Sequence, residues 1–76
     1  MRPTMTKIQN TSDIGRAIRA RRRELGYTQA FLAEYAGVSN SFISELENGK
    51  PTVQLDKVMY IISLLGMDLV IARRGE

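Results

Sequence analysis

Glycine punctuates this chain at short intervals: Gly26, Gly37, Gly49 and Gly66 each follow a stretch whose apolar residues recur at helical spacing. A glycine inside a helix costs about 1 kcal/mol, whereas one just past the last turn adopts positive φ without a Cβ penalty. The chain is thereby restricted to short helices joined by tight turns. Ahead of the first three lie residues whose side-chain oxygens can accept from free amide N–H groups, the usual amino-terminal caps.

Ser12 or Thr11 is placed to cap a first helix that runs to about Leu25, with Asp13 in its favourable first turn. Ile14, Ala17, Ile18, Arg21, Arg22 and Leu25 share its inward face, where two arginines are out of character. Thr28 caps a second helix, Gln29 to Ala36, whose buried side is Leu32, Ala33 and Ala36; the two alanines let another helix cross closely. Val38 is the apolar residue of the next turn, and Ser39 caps a third helix from Asn40 to Glu47 or Asn48 with Phe42, Ile43 and Leu46 as its apolar members. Asn48-Gly49 and Pro51 then stop it.

A fourth helix is expected from near Leu55 to Leu65. Its apolar positions, Leu55, Val58, Met59, Ile61, Ile62, Leu64 and Leu65, cover more than half the circumference, which fits either an interface or a buried central helix. Beyond Gly66 the period changes to two: Met67, Leu69 and Ile71 alternate with Asp68, Val70 and Ala72, the pattern of a short strand. No other segment resembles its mate. The simplest solution is pairing with the same strand of a second subunit across a twofold axis.

With 76 residues, 43% of them hydrophobic, the chain can build one domain and not two. A domain this small buries only about 60% of its unfolded surface, so a partner subunit would help. The absence of cysteine and histidine excludes disulfides, thiol chemistry and the usual zinc clusters. The carboxylates are not gathered by any catalytic motif, so neither an enzyme nor a metal or cofactor site is expected. Met1 to Asn10 lacks the apolar core of a signal peptide, and the apolar run Val58 to Leu69 is interrupted by Ser63, Gly66 and Asp68 and too short for a membrane span; a cytoplasmic protein is expected. The net charge of +3 is modest, but four arginines crowd positions 19, 21, 22 and 23. That run suits either a phosphate-facing surface or an ordinary solvated face.

The stretch Thr28 to Glu47, TQAFLAEYAGVSNSFISELE, also carries a resemblance. Thr28-Gln29, Leu32-Ala33, Gly37-Val38-Ser39, Ile43-Ser44 and Glu47-Asn48-Gly49 are similar, at the same offsets, to the helix-turn-helix family of phage repressors and bacterial xenobiotic-response-element regulators. The looser likeness runs from Ile14 to Leu65. It implies an all-α, lambda-repressor-like domain of four helices, with room for a short fifth, to which the paired carboxyl-terminal strand of a homodimer is added. The organisation expected is an amino-terminal arm over 1–10, a DNA-binding domain over 11–66 with its second helix at 28–36 and recognition helix at 40–47, a dimerisation strand over 67–72 and a tail over 73–76.

Site expectations follow from chemistry and resemblance together. In this family the start of the third helix enters the major groove, which implies base reading by Asn40, Ser41 and Ser44 with Glu45 near the groove. Asn40 is the strongest reader, because its amide both donates and accepts as adenine requires. Phosphate contacts are expected at Gln29, Ser39, Asn48 and Lys50, with Arg19 and Arg23 as further candidates. Phe42 either packs near Phe31 or meets DNA. The family often joins its first and third helices through an arginine–glutamate pair, here Arg22 and Glu47. Ile61, Met67, Leu69, Val70 and Ile71 are the expected dimer interface.

The segment Leu65-Gly66-Met67-Asp68-Leu69-Val70-Ile71 further resembles antitoxins of the HipA/HipB type. That likeness implies a homodimer that binds double-stranded DNA at an inverted repeat, represses its own operon and binds a HipA-like serine/threonine-kinase toxin. Two alternatives stay open: a stand-alone regulator of the same fold, and a protein-interaction module that does not bind DNA.

Overall fold

Side-chain caps set where three of the helices begin. The computed structural model describes residues 5–75, and among them α1 spans Thr11–Glu24, α2 Gln29–Ala36, α3 Asn40–Glu47 and α4 Leu55–Leu64. The Asn10, Thr28 and Ser39 side chains accept from the N–H groups of Asp13, Phe31 and Phe42 at 2.9, 3.0 and 3.0 Å. For α1 the cap is therefore Asn10, not Ser12 or Thr11. Thr11 has a different use: its hydroxyl donates to the Gly49 carbonyl at 2.8 Å, fastening the start of α1 to the end of α3.

All four helices end alike. Gly26, Gly37, Gly49 and Gly66 take φ of 74, 72, 82 and 74°, and the next N–H turns back to the carbonyl five residues earlier, as from Tyr27 to Arg22 at 3.0 Å and from Val38 to Ala33 at 2.9 Å. Gly49 is constrained twice, since a Cβ there would also meet the Ser12 Cα at 2.8 Å.

The core is made of Ile18, Leu32, Ala33, Ile43, Leu46, Val58, Ile61, Ile62 and Leu65, all buried. α3 lies between α1 and α2, and α4 packs against α2. Helix α1 crosses α3 so closely that a Cβ on Gly15 would stand 2.5 and 2.7 Å from the carbonyl oxygens of Leu46 and Glu47. The inward Arg21 also finds a purpose, because its Nε donates at 2.9 Å to the Leu65 carbonyl and caps the end of α4. α4 is not a buried central helix: Leu55, Met59 and Tyr60 are 60, 49 and 51% exposed.

The carboxyl-terminal strand is absent, which corrects the fold expected from sequence. Residues 67–73 have no regular secondary structure, and no strand occurs among the described residues. Alternation alone does not make a strand; a ladder of hydrogen bonds does, and no other described segment shares one with 67–73. Among the described residues the fold is all-α with four helices, without the fifth and without the strand pairing. The first four residues of the expected arm and residue 76 of the expected tail lie outside the described residues, and residues 5–10 form neither helix nor strand. No helix among the described residues is long and apolar enough to cross a membrane.

Candidate nucleic-acid interface

The start of α3 stands open. Asn40, Ser41, Glu45 and Asn48 are exposed and Ser44 is half-buried, while Ile43, Leu46 and Glu47 face inward. Eight residues thus divide into a polar outer face and a core-facing one. Ser39 is engaged as the cap, its oxygen accepting from the Phe42 N–H. Its hydroxyl proton remains to be donated. Glu45 and Lys50 meet each other across the end of the helix, Nζ to Oε2 at 2.7 Å. The carboxylate suggested as a base reader is therefore partly neutralised by the ammonium suggested as a phosphate contact.

The opposite end of α3 is locked. Arg22 donates from Nε to Glu47 Oε2 at 2.6 Å and from Nη2 to Oε1 at 3.0 Å, while its Nη1 reaches the Tyr27 carbonyl at 2.8 Å. The two side chains are 9 and 1% exposed, and among the described residues no buried side-chain polar atom lacks a hydrogen-bond partner. A pair of this kind gains little net stability over an apolar substitute, yet removing one partner leaves a charge stranded. Gln29 joins it: its Nε2 donates to Glu47 Oε1 at 3.0 Å. Burial pushes the Glu47 carboxyl up, but the hydrogen bonds from Arg22 and Gln29 and the fields of Arg22 and Arg19 outweigh it and hold the group below the ordinary carboxylate value. The bond to Glu47 likewise holds the Arg22 guanidinium above its ordinary value against the cost of burial.

Arg19 and Arg23 are exposed on α1. Phe42 is half-buried against the core, under the Lys57 ammonium 5.7 Å from its ring centroid. Phe31 sits elsewhere, in a ladder with Tyr27 and Tyr35 at centroid distances of 4.7 and 5.9 Å. Sequence reasoning singled out neither that ladder nor Lys57. The ladder was present as aromatic residues four apart at 27, 31 and 35, the first of them ahead of α2; nothing local pointed to Lys57.

Of the residues suggested for a dimer interface, Ile61 is wholly buried inside the subunit and Met67 is half-buried against its core. Leu69, Val70 and Ile71 are 41, 68 and 95% exposed. They offer apolar surface that the other described residues leave partly uncovered, most fully at Ile71.

Comparison with known proteins places this architecture. Residues 18–71 match the helix-turn-helix family. An uncharacterised HTH-type transcriptional regulator of Sinorhizobium fredii is 41% identical over 70 residues, which is 92% of each chain. Among solved structures, a HipB variant in complex with an O2 20-mer superposes with a TM-score of 0.84 at 25% identity, covering 95% of this chain and all of that one. A chain of a HipA-HipB-O2-O3 complex gives 0.83 at 24% identity, over 93% of this chain and all of that one, a likeness of fold.

Proposed function

Because the chain belongs to the helix-turn-helix family, we propose that it is a sequence-specific DNA-binding repressor, working as a homodimer on an inverted repeat and serving as the antitoxin to a HipA-like serine/threonine-kinase toxin. What carries this is the open start of α3 on a helix whose far end is fixed. Asn40 reads a base through its amide, and Ser41 and Ser44 add shorter contacts. Gln29, Ser39, Asn48, Lys50, Arg19 and Arg23 face the phosphates and set the register. Self-association uses side-chain packing of the exposed apolar residues Leu69, Val70 and Ile71. A DNA target puts its work in the cytoplasm.

The partnership with a toxin follows the HipA-HipB complex that shares the fold. The Sinorhizobium relative is described only as a transcriptional regulator, which favours a stand-alone regulator as the second reading. The test is a competition titration on the DNA upstream of the gene, at two salt concentrations with random duplex as competitor. Two chains bound per palindrome, with selectivity that survives added salt, is the expected result. Binding that is equal on random duplex overturns the repressor. Co-expression with a neighbouring kinase-like gene product then separates antitoxin from stand-alone regulator by whether the two co-purify.

A further inference from the structure

Glu47 does not only pair with Arg22. Its Oε1 also takes the Gln29 amide N–H at 3.0 Å, and Gln29 is the first residue of α2. An ionised carboxylate repels the carbonyl end of an amide and attracts its N–H end. The charge on Glu47, kept ionised by Arg22, thus fixes which way round Gln29 stands. One N–H is spent on Glu47. Among the described residues no other hydrogen bond engages that amide group, and Gln29 opens α2, whose side-chain cap serves the Phe31 N–H.

From this geometry we infer that Glu47 is a positioning residue for DNA binding, acting through Gln29 to present the second amide N–H to a backbone phosphate. The inference rests on the proposed DNA-binding function. It goes beyond a structural pair in assigning the end of α3 a part in how α2 meets DNA. Arg22 is what allows a carboxylate to stand this close to a phosphate, since its guanidinium cancels the charge that would repel one. The same guanidinium ties in the turn before α2 through the Tyr27 carbonyl, so α1, α2 and α3 are registered at one point.

Removing a carboxylate near DNA should, on charge alone, tighten binding. The inference demands the opposite. Gln29→Met, Glu47→Gln and the double variant of the full chain would be titrated against operator and random duplexes. Gln29→Met is expected to weaken both by about tenfold, roughly the worth of one charge-assisted hydrogen bond. Glu47→Gln is expected to weaken both similarly, with the ratio of operator to random affinity unchanged and the double variant no worse than either single one. Should Glu47→Gln fail to fold, Glu47→Asp takes its place, keeping the charge while shortening the reach to Gln29. If Gln29→Met costs as much in the Glu47 variant as in the native chain, or costs nothing in the native chain, Glu47 is no more than structural. A native chain that shows no selective binding breaks the proposed function itself, and the inference falls with it.

Discussion

The two ends of α3 are built on opposite terms. At the carboxyl end Glu47 is buried, takes three hydrogen bonds and lies under the Gly15 crossing. At the amino end Asn40 and Ser41 are exposed, and the Ser39 side chain caps the first turn. An eight-residue helix is too short to be stable by itself, so an exposed polar end keeps its direction only if the other end is held. Rigidity and availability are thereby separated along about 12 Å of helix, at 1.5 Å per residue. The clamp sets the aim, and the open end is left to chemistry.

The most direct way to break this contrast is Glu47→Ala. It strands a guanidinium that is 9% exposed, and denaturant unfolding should show a loss of about 3–5 kcal/mol. A loss within the range of surface substitutions would mean that the far end is not held as described. Acid tests the same carboxylate without mutation. Its folded value is lowered, so its contribution is complete above the ordinary carboxylate range and is lost as pH falls through the lower folded value. The stability difference between the native chain and Glu47→Gln should accordingly shrink from neutral pH toward acid. A difference that holds steady, or grows, places the stabilisation elsewhere.

Gly15→Ala sharpens the comparison from the α1 side. The added methyl meets two backbone carbonyls inside 3.0 Å, so the two helices must separate; the cost should be about 2 kcal/mol despite alanine's better helix propensity. An unchanged unfolding midpoint would show that the crossing has slack. At the open end, Asn40→Ala should leave stability within about 0.5 kcal/mol while relaxing preference at one base pair by about 1–3 kcal/mol. Equal losses on operator and random duplexes would count against base reading by Asn40.

Legibility in the sequence followed the reach of the forces involved. The caps Thr28 and Ser39 and the stops at Gly37 and Gly49 act within five residues, and α2 and α3 could be placed from them alone. The first cap was misplaced because Asn10, Thr11 and Ser12 are all able to cap. What decides among them is a Thr11 bond to Gly49, 38 residues away. Arg21 looked wrong on an inward face for the same reason, its partner being the Leu65 carbonyl. Arg22 and Glu47 came together through family resemblance rather than spacing, and the share of Gln29 in that site had no local signal. The carboxyl-terminal alternation misled in another way. It reports which side chains would share a face if the backbone were paired, not whether a ladder exists.

That last region supplies the smallest expected effect on the subunit and the cleanest contrast with the clamp. Leu69 is 41% exposed and lies in a stretch without regular structure, so Leu69→Asp removes little that the single chain uses. The subunit's own unfolding free energy, measured at a dilution where it is monomeric, should change by no more than about 0.5 kcal/mol. Self-association is another matter if Leu69, Val70 and Ile71 form its apolar surface. A carboxylate there must either stay hydrated, spoiling the contact, or be buried without a partner. Sedimentation at low micromolar concentration should then show the variant as monomer beside a dimeric native chain. An unchanged mass would move the interface to the exposed face of α4, where Leu55, Met59 and Tyr60 offer apolar surface of their own.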